Sequence, residues 1–194
     1  MTRRLVPLLA FLAALPSLLA ASPARADLDI FGGYYDNIPR AVAKGDAATV
    51  QRLLADGVNP QQVDENNRAG LHVAALTGNL QMFALLVKAG AKLDVKDALG
   101  STPLHYAADR NEIEMVKLMV ALHAPIDAEN KGGLTPLMVA ASRGNVEVVQ
   151  ALLTAGANPT KLDYTGRDAL SWASESHKPS IVQAIQRAAA TTKH

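Results

Sequence analysis

One segment of this chain recurs every 33 residues, and that period limits the folds the chain can adopt. Residues 66–78, 99–111 and 132–144 read NNRAGLHVAALTG, LGSTPLHYAADRN and GGLTPLMVAASRG. A repeat of this length forms one small supersecondary unit, which becomes stable only when neighbouring units stack on it. The sequence therefore predicts a stack of similar layers. The positions that keep one register through four units are Leu71, Leu104, Leu137 and Leu170, and Ala74, Ala107, Ala140 and Ala173.

The start of each unit carries the signals of a short helix. Thr102 and Thr135 are favourable N-cap residues, whose side chains accept a hydrogen bond from the first turn. Pro103 and Pro136 follow at the first helical position, where a missing N–H costs nothing. We expect His105 to hydrogen-bond to its capping threonine and to the next loop.

A second amphipathic helix follows in each unit, with apolar residues spaced three and four apart. Gly90 and Gly156 are predicted to end it in the left-handed conformation, which favours glycine. His123 stands at the same place in the unit between them. The three best copies of this helix are 80–88, 113–121 and 146–154.

The period and the tetrapeptide Thr102-Pro103-Leu104-His105 resemble the ankyrin-repeat family, in which this tetrapeptide is the most specific motif. Met138 replaces the histidine in the next unit. The resemblance implies an all-α solenoid of about five stacked helix-turn-helix units with short β-hairpin fingers. The units would be about 34–63, 64–96, 97–129, 130–162 and 163–190.

The first 26 residues have the composition of a secretory signal peptide. Arg3 and Arg4 precede an apolar stretch at 5–21, and Ala-Arg-Ala at 24–26 suits a signal peptidase. We therefore expect export to the periplasm, with residues 27–194 as the mature ankyrin-repeat domain. An uncleaved membrane anchor is the alternative, because about 17 apolar residues approach the length of a membrane-spanning helix.

Charge and cysteine content exclude several classes of partner and site. Without residues 1–26, the 19 basic and 18 acidic residues become 16 and 18, a net charge of −2. A chain this near neutrality, with no Lys/Arg block, lacks the basic footprint of a nucleic-acid or anionic-membrane binder. Since the chain contains no cysteine, disulfides, thiolate zinc sites and cysteine nucleophiles are excluded.

No catalytic motif is present, so we expect that the protein is not an enzyme and needs no metal or cofactor. The chain lacks a G-x-S-x-G elbow, an H-E-x-x-H helix and a glycine-rich phosphate loop. His72 and His105 stand one repeat apart, which separates their backbones by about 10 Å in a stack. Ligands of one metal lie about 2 Å from the ion, so these histidines are interpreted as structural.

The family resemblance implies binding of another protein through the finger tips and the first helices. Among the tips, Leu99, Leu134, Leu162 and Tyr164 are expected to be exposed, although the leucines could instead pack under a neighbouring finger. Exposed apolar side chains beside arginines are typical of protein interfaces. The candidate binding residues are Arg68, Leu76, Leu99, Ser101, Asp109, Arg110, Lys131, Leu134, Ser142, Arg143, Leu162, Tyr164 and Arg167.

Taken together, the sequence predicts a monomeric, non-catalytic interaction module of a Gram-negative periplasm. Exported bacterial proteins of similar architecture suggest an accessory role to a periplasmic enzyme such as catalase. The alternative is a small-molecule or haem-handling protein that uses Tyr106, His105 or the aromatic stretch 31–35. That stretch could equally cover the open edge of the first repeat, and Trp172 is expected to pack within the last layer.

Overall fold

The computed structural model describes residues 37–191. The predicted signal peptide at 1–26 and the aromatic stretch at 31–35 lie outside the described residues. Residues 37–191 form ten α-helices and no β-strand. The helices are α1 (Ile38–Ala43), α2 (Ala47–Ala55), α3 (Gly70–Leu76), α4 (Leu80–Lys88), α5 (Pro103–Arg110), α6 (Ile113–Ala121), α7 (Pro136–Arg143), α8 (Val146–Thr154), α9 (Ala169–Glu175) and α10 (Pro179–Thr191).

The helices pack in successive pairs, α1 with α2 through to α9 with α10. The first helices of the pairs also contact one another in the order α1, α3, α5, α7 and α9. The recurring leucines and alanines lie between these layers, and Leu104, Ala107 and Leu137 are fully buried. Small side chains such as Ala107 let neighbouring helices approach closely. The repeated helical layers predicted from the sequence are therefore present in the described residues.

The helix ends follow from local chemistry. Thr102 and Thr135 occupy the N-cap positions of α5 and α7, and a proline follows each of them. Gly90 and Gly156 lie just beyond α4 and α8 with φ of 90° and 92°. His123 takes the same left-handed conformation with φ of 59°, although it has a side chain.

The segments between the pairs are tight turns, which we call the tips: 64–68, 97–101, 130–134 and 163–167. The β-hairpin fingers implied by the family resemblance are not formed as strands in this part of the chain. Its one isolated antiparallel bridge joins Val63 to Ala69. Each tip closes over five residues, as when the Asp97 N–H bonds the Ser101 carbonyl at 3.0 Å, and that leaves too few residues for a ladder.

None of the described helices combines the length and the apolar composition that crossing a membrane requires.

Candidate functional site

Each tip is organised by the side chain of its first residue. In the tip 97–101, Asp97 Oδ1 accepts hydrogen bonds from the N–H groups of Leu99 at 2.9 Å and Ser101 at 2.7 Å. Asn130 makes the corresponding bonds to Gly132 and Leu134. A short polar side chain that satisfies the N–H groups of its own turn fixes the conformation of that turn.

The second carboxylate oxygen of the tip aspartates takes a donor from outside the turn. The Tyr106 hydroxyl donates to Asp97 Oδ2 at 2.7 Å, and Trp172 Nε1 donates to Asp163 Oδ2 at 3.0 Å. Asp64 is bonded by the guanidinium of Arg68 instead. Sequence reasoning considered Tyr106 as a ligand contact and Trp172 as a layer residue, and it missed that each stands nine positions after an acidic tip residue.

These contacts shift the pKa values of Tyr106 and Asp163. Burial, together with the hydrogen bond to Asp97, raises the pKa of Tyr106 to about 12. Desolvation opposes ionisation of Asp163, but hydrogen bonds from Thr165, Arg167 and Trp172 outweigh it and lower the pKa of that carboxyl to about 2. At neutral pH Asp163 is therefore charged and the Tyr106 hydroxyl keeps its proton.

Two buried histidines join each layer to the next. His72 Nδ1 accepts from the Ala69 N–H at 3.0 Å, so its Nε2 carries the hydrogen and donates to the Ser101 carbonyl at 3.0 Å. His105 accepts from the Thr102 N–H at 3.1 Å and donates to the Leu134 carbonyl at 2.9 Å. Burial lowers the pKa of both imidazoles, which keeps them neutral.

These bonds also bear on ligand and metal chemistry. Both ring nitrogens of His105 and the hydroxyl of Tyr106, the groups considered for haem or a small ligand, are engaged by the protein itself. Within residues 37–191, no group of three histidine or acidic side chains is placed to hold a metal ion.

The tips are joined into a row by single backbone hydrogen bonds. The Lys131 N–H donates to the Leu99 carbonyl at 2.9 Å, and the Tyr164 N–H donates to the Gly132 carbonyl at 3.1 Å. Gly133, at φ 77°, meets the Tyr164 ring so closely that a Cβ there would lie 2.6 Å from its Cδ1. A side chain at this position would displace Tyr164.

We call the outward side chains of the tips and the C-terminal ends of the first helices the tip surface. Its large apolar residues are Leu99, Tyr164 and the adjacent Leu162, with 67%, 71% and 58% of their area exposed. The expectation that Leu134 is exposed is wrong, because its side chain is partly buried against the hydrophobic core. Leu134 directly precedes the Thr135 N-cap, where an apolar residue commonly packs against the first turns of its helix.

Charged side chains complete the tip surface. Arg143 Nε lies 2.5 Å from Asp109 Oδ1, and Arg110 Nε lies 3.9 Å from the other oxygen of that carboxylate. The guanidinium of Arg167 stacks over the Trp172 ring at 3.3 Å and also pairs with Glu175. Stacking on an aromatic face holds a guanidinium in a fixed orientation.

Three other candidate residues contribute less to this surface. Leu76, Ser101 and Ser142 are partly buried. The Ser142 hydroxyl donates to the Val139 carbonyl within its own helix, and the Ser101 carbonyl is taken by His72. These residues support the surface more than they project from it.

Sequence reasoning also missed an open groove of about 570 Å³ between α6 and α8, away from the tips. Small residues at Ala121, Ala151 and Ala155 leave the space, and Lys117 and Glu147 border it. Alanines on the outward side of consecutive second helices are the only sequence signal for it.

Known proteins with ankyrin repeats resemble this chain in sequence. The family model described as ankyrin repeats in three copies matches residues 39–130 and 120–193. The potassium channel GORK of Arabidopsis thaliana is 47% identical over 62 residues, which are 32% of this chain and 8% of that protein. The potassium channel KOR1 of Oryza sativa is 48% identical over 63 residues, 32% of this chain and 7% of that protein.

A third relative is an ankyrin repeat-containing protein of Schizosaccharomyces pombe. It is 31% identical over 67 residues, which are 34% of this chain and 32% of that protein. This chain spans less than a tenth of the length of the two channels and about a third of the yeast protein.

Proposed function

The chain belongs to the ankyrin-repeat family, and from that premise we propose that it is a non-catalytic module that binds another protein on its tip surface. The observation that carries the proposal is the exposure of Leu99 on the tip 97–101 and of Leu162 and Tyr164 at the tip 163–167. Large apolar side chains exposed together mark interaction surfaces, and tyrosine and arginine are favoured anchors at their centre.

The fixed geometry of the tips supports the same proposal. Each turn is closed by its own aspartate or asparagine, and backbone hydrogen bonds hold neighbouring tips together. A surface that is ordered before its partner arrives loses less conformational entropy on binding. The tips therefore form a preorganised surface on which a partner can bind.

The cellular setting of this function is part of the proposal. The signal-like sequence at 1–26 supports export to a bacterial periplasm, with cleavage after Ala26. We assign the five helix pairs to five repeats of a monomeric domain at 27–194. An accessory role to a periplasmic enzyme such as catalase rests on similar architecture alone. The channel activity of the potassium-channel relatives is not proposed for this chain, since the shared segment is a small part of those proteins.

Capture of the partner by an immobilised tip surface tests the proposal. We expect the mature chain to retain a protein from a periplasmic extract, and the double variant Leu99→Ser/Tyr164→Ala to lose it because two apolar anchors are gone. The variant Leu80→Ser is the matched control, since Leu80 is a partly exposed leucine at the start of α4.

Circular dichroism should show the same helical content and Tm for all three proteins. Retention of the same partner by the double variant would refute the tip surface as the binding site.

A further inference from the structure

The proposed function does not specify the chemistry of the partner. The charges of the tip surface restrict which kind of segment can bind there. We infer that the bound segment is an acidic peptide stretch that places a carboxylate between two apolar side chains. This inference rests on the proposed function. It is carried by three neighbouring tips, which present Leu99, Lys131 and Tyr164 in that order.

The carboxylates of these tips are recessed and already bonded. Asp97 and Asp163 are only 6% and 5% exposed. Their oxygens accept hydrogen bonds from the N–H groups of the turns and from Tyr106 or Trp172. They are therefore poorly placed to attract cations of a partner.

The cations, in contrast, project from the surface. Lys131 is exposed, and no carboxylate of a described residue lies within ion-pair distance of it. Arg110 and Arg143 are 57% and 62% exposed and share a single carboxylate, that of Asp109. A partner carboxylate would pair with Lys131, and such complementarity selects partners and speeds their encounter.

The order of the tips defines the pattern of the segment. Lys131 is joined to Leu99 by one backbone hydrogen bond, and the next residue, Gly132, is joined to Tyr164. Layers about 10 Å apart place Leu99 and Tyr164 about 20 Å apart, a span of about six extended residues. The segment therefore has apolar side chains about six residues apart and an acid near the middle.

The inference applies to the tips from residue 97 onward. At the second position of the tip, Glu65 corresponds to Ala98 and Lys131 in the next two tips. At the third position, Asn66 corresponds to Leu99 and Gly132. Glu65 is exposed and would repel an acidic segment. The partner segment therefore ends before the first tip.

Selection from a random dodecapeptide library against the full chain tests the pattern directly. We expect enriched peptides to contain Asp or Glu flanked by Leu, Phe or Tyr. A fluorescently labelled winner should bind less tightly as salt rises, because exposed charges are screened. Enrichment of basic or uncharged peptides, or of nucleic acid in a parallel selection, would overturn the inference.

Point variants separate this inference from the proposed function. Fluorescence anisotropy with the selected peptide should show a loss of affinity of about threefold to tenfold in Lys131→Ala and a larger loss in Lys131→Glu. Lys117→Glu changes another exposed lysine, at the groove between α6 and α8, and it should leave binding within about twofold.

The combined result decides which statement fails. If Tyr164→Ala weakens binding but Lys131→Glu does not, the acidic partner is refuted and the tip surface stands. If neither substitution weakens binding of the selected peptide, both statements fail. If no peptide is enriched, the acidic segment is refuted, and the capture experiment decides the proposed function.

Discussion

At the scale of single residues, the first residue of a tip determines what its neighbours must supply. A charged aspartate has a second oxygen that needs a donor, which Tyr106 gives to Asp97 and Trp172 gives to Asp163. Where the tip begins with Asn130, which carries no charge, the register position of the aromatic donor is the apolar Val139. In these three units the residue nine positions later thus matches the first tip residue, whereas Asp64 takes its donor from Arg68 and has Val73 at that register position.

Removing one of these donors should destabilise the fold. Tyr106→Phe leaves a buried, charged Asp97 oxygen without its hydrogen bond, which costs about 1–3 kcal/mol in the free energy of unfolding. Urea denaturation measures the change. Tyr164→Phe is the control, because that hydroxyl is on a ring that is 71% exposed. The double variant Asp97→Asn/Tyr106→Val reproduces the Asn130 and Val139 pair, and it should be more stable than Tyr106→Phe. If Tyr106→Phe were as stable as the wild type, the role of the hydroxyl would be refuted.

His123 should be replaceable with a gain in stability. It holds the left-handed conformation at φ 59°, where Gly90 stands in the preceding unit at φ 90°. A residue with a Cβ pays about 1 kcal/mol in this region, so His123→Gly should raise the free energy of unfolding by about that amount.

The reverse change, Gly90→Val, should lower the unfolding free energy by roughly 1 kcal/mol or more. No atom lies within 4 Å of the position that a Cβ would take at Gly90, so the cost is backbone strain alone. Thermal melting curves compare the two variants. If both left the Tm unchanged, backbone strain would not limit stability at this turn.

At the scale of helices and turns, the buried histidines connect each first helix to the following tip. His72 joins α3 to the tip 97–101, and His105 joins α5 to the tip 130–134. Met138 takes the same place in α7, where its sulfur accepts the Thr135 N–H at 3.5 Å but has no hydrogen to donate onward. Of these three residues only the two histidines can be protonated, and a proton on Nδ1 removes the bond that each imidazole accepts from the N–H of Ala69 or Thr102.

Stability should fall as the pH falls below the ordinary histidine pKa of about 6.5. The unfolded chain takes up protons on His72 and His105 near that pH, whereas the folded chain resists because burial lowers both pKa values. The contribution of the two neutral histidines to stability is thus fully present above about pH 6.5, and it is lost as the pH falls toward and through their folded-state pKa values.

Urea midpoints between pH 8 and pH 5 measure this dependence. His105→Met, which copies the residue at 138, removes one titrating group and should make the dependence shallower. A urea midpoint that stays constant from pH 8 to pH 5 in the wild type would contradict the predicted loss of stability.

At the scale of the stacked layers, the tips form one row because each is tied to the next through backbone groups that any sequence possesses. The row of tips sets the spacing between successive tips, and the side chains on each tip determine whether it binds the partner. The partner segment proposed here spans three tips and is repelled by the Glu65 tip. Binding therefore depends on the order of the units as well as on their number.

The sequence by itself determined the layered helical fold. A fixed period places equivalent residues in equivalent surroundings, and Thr102, Pro103 and Gly90 give local signals that need no distant partner. The predicted exposure of Leu99, Leu162 and Tyr164 agrees with the structure for the same reason, since residues at a turn have few neighbours.

The tertiary structure alone decided the contacts made between layers and between a tip and its helix. Leu134 is partly buried because its side chain packs against the core, and Tyr106 and Trp172 meet their aspartates only when the tip folds back over the first helix. Burial and hydrogen-bond partners depend on distances between segments that are far apart in sequence. A pattern of residue types records which side chains are available, and the packing of the layers determines which of them meet.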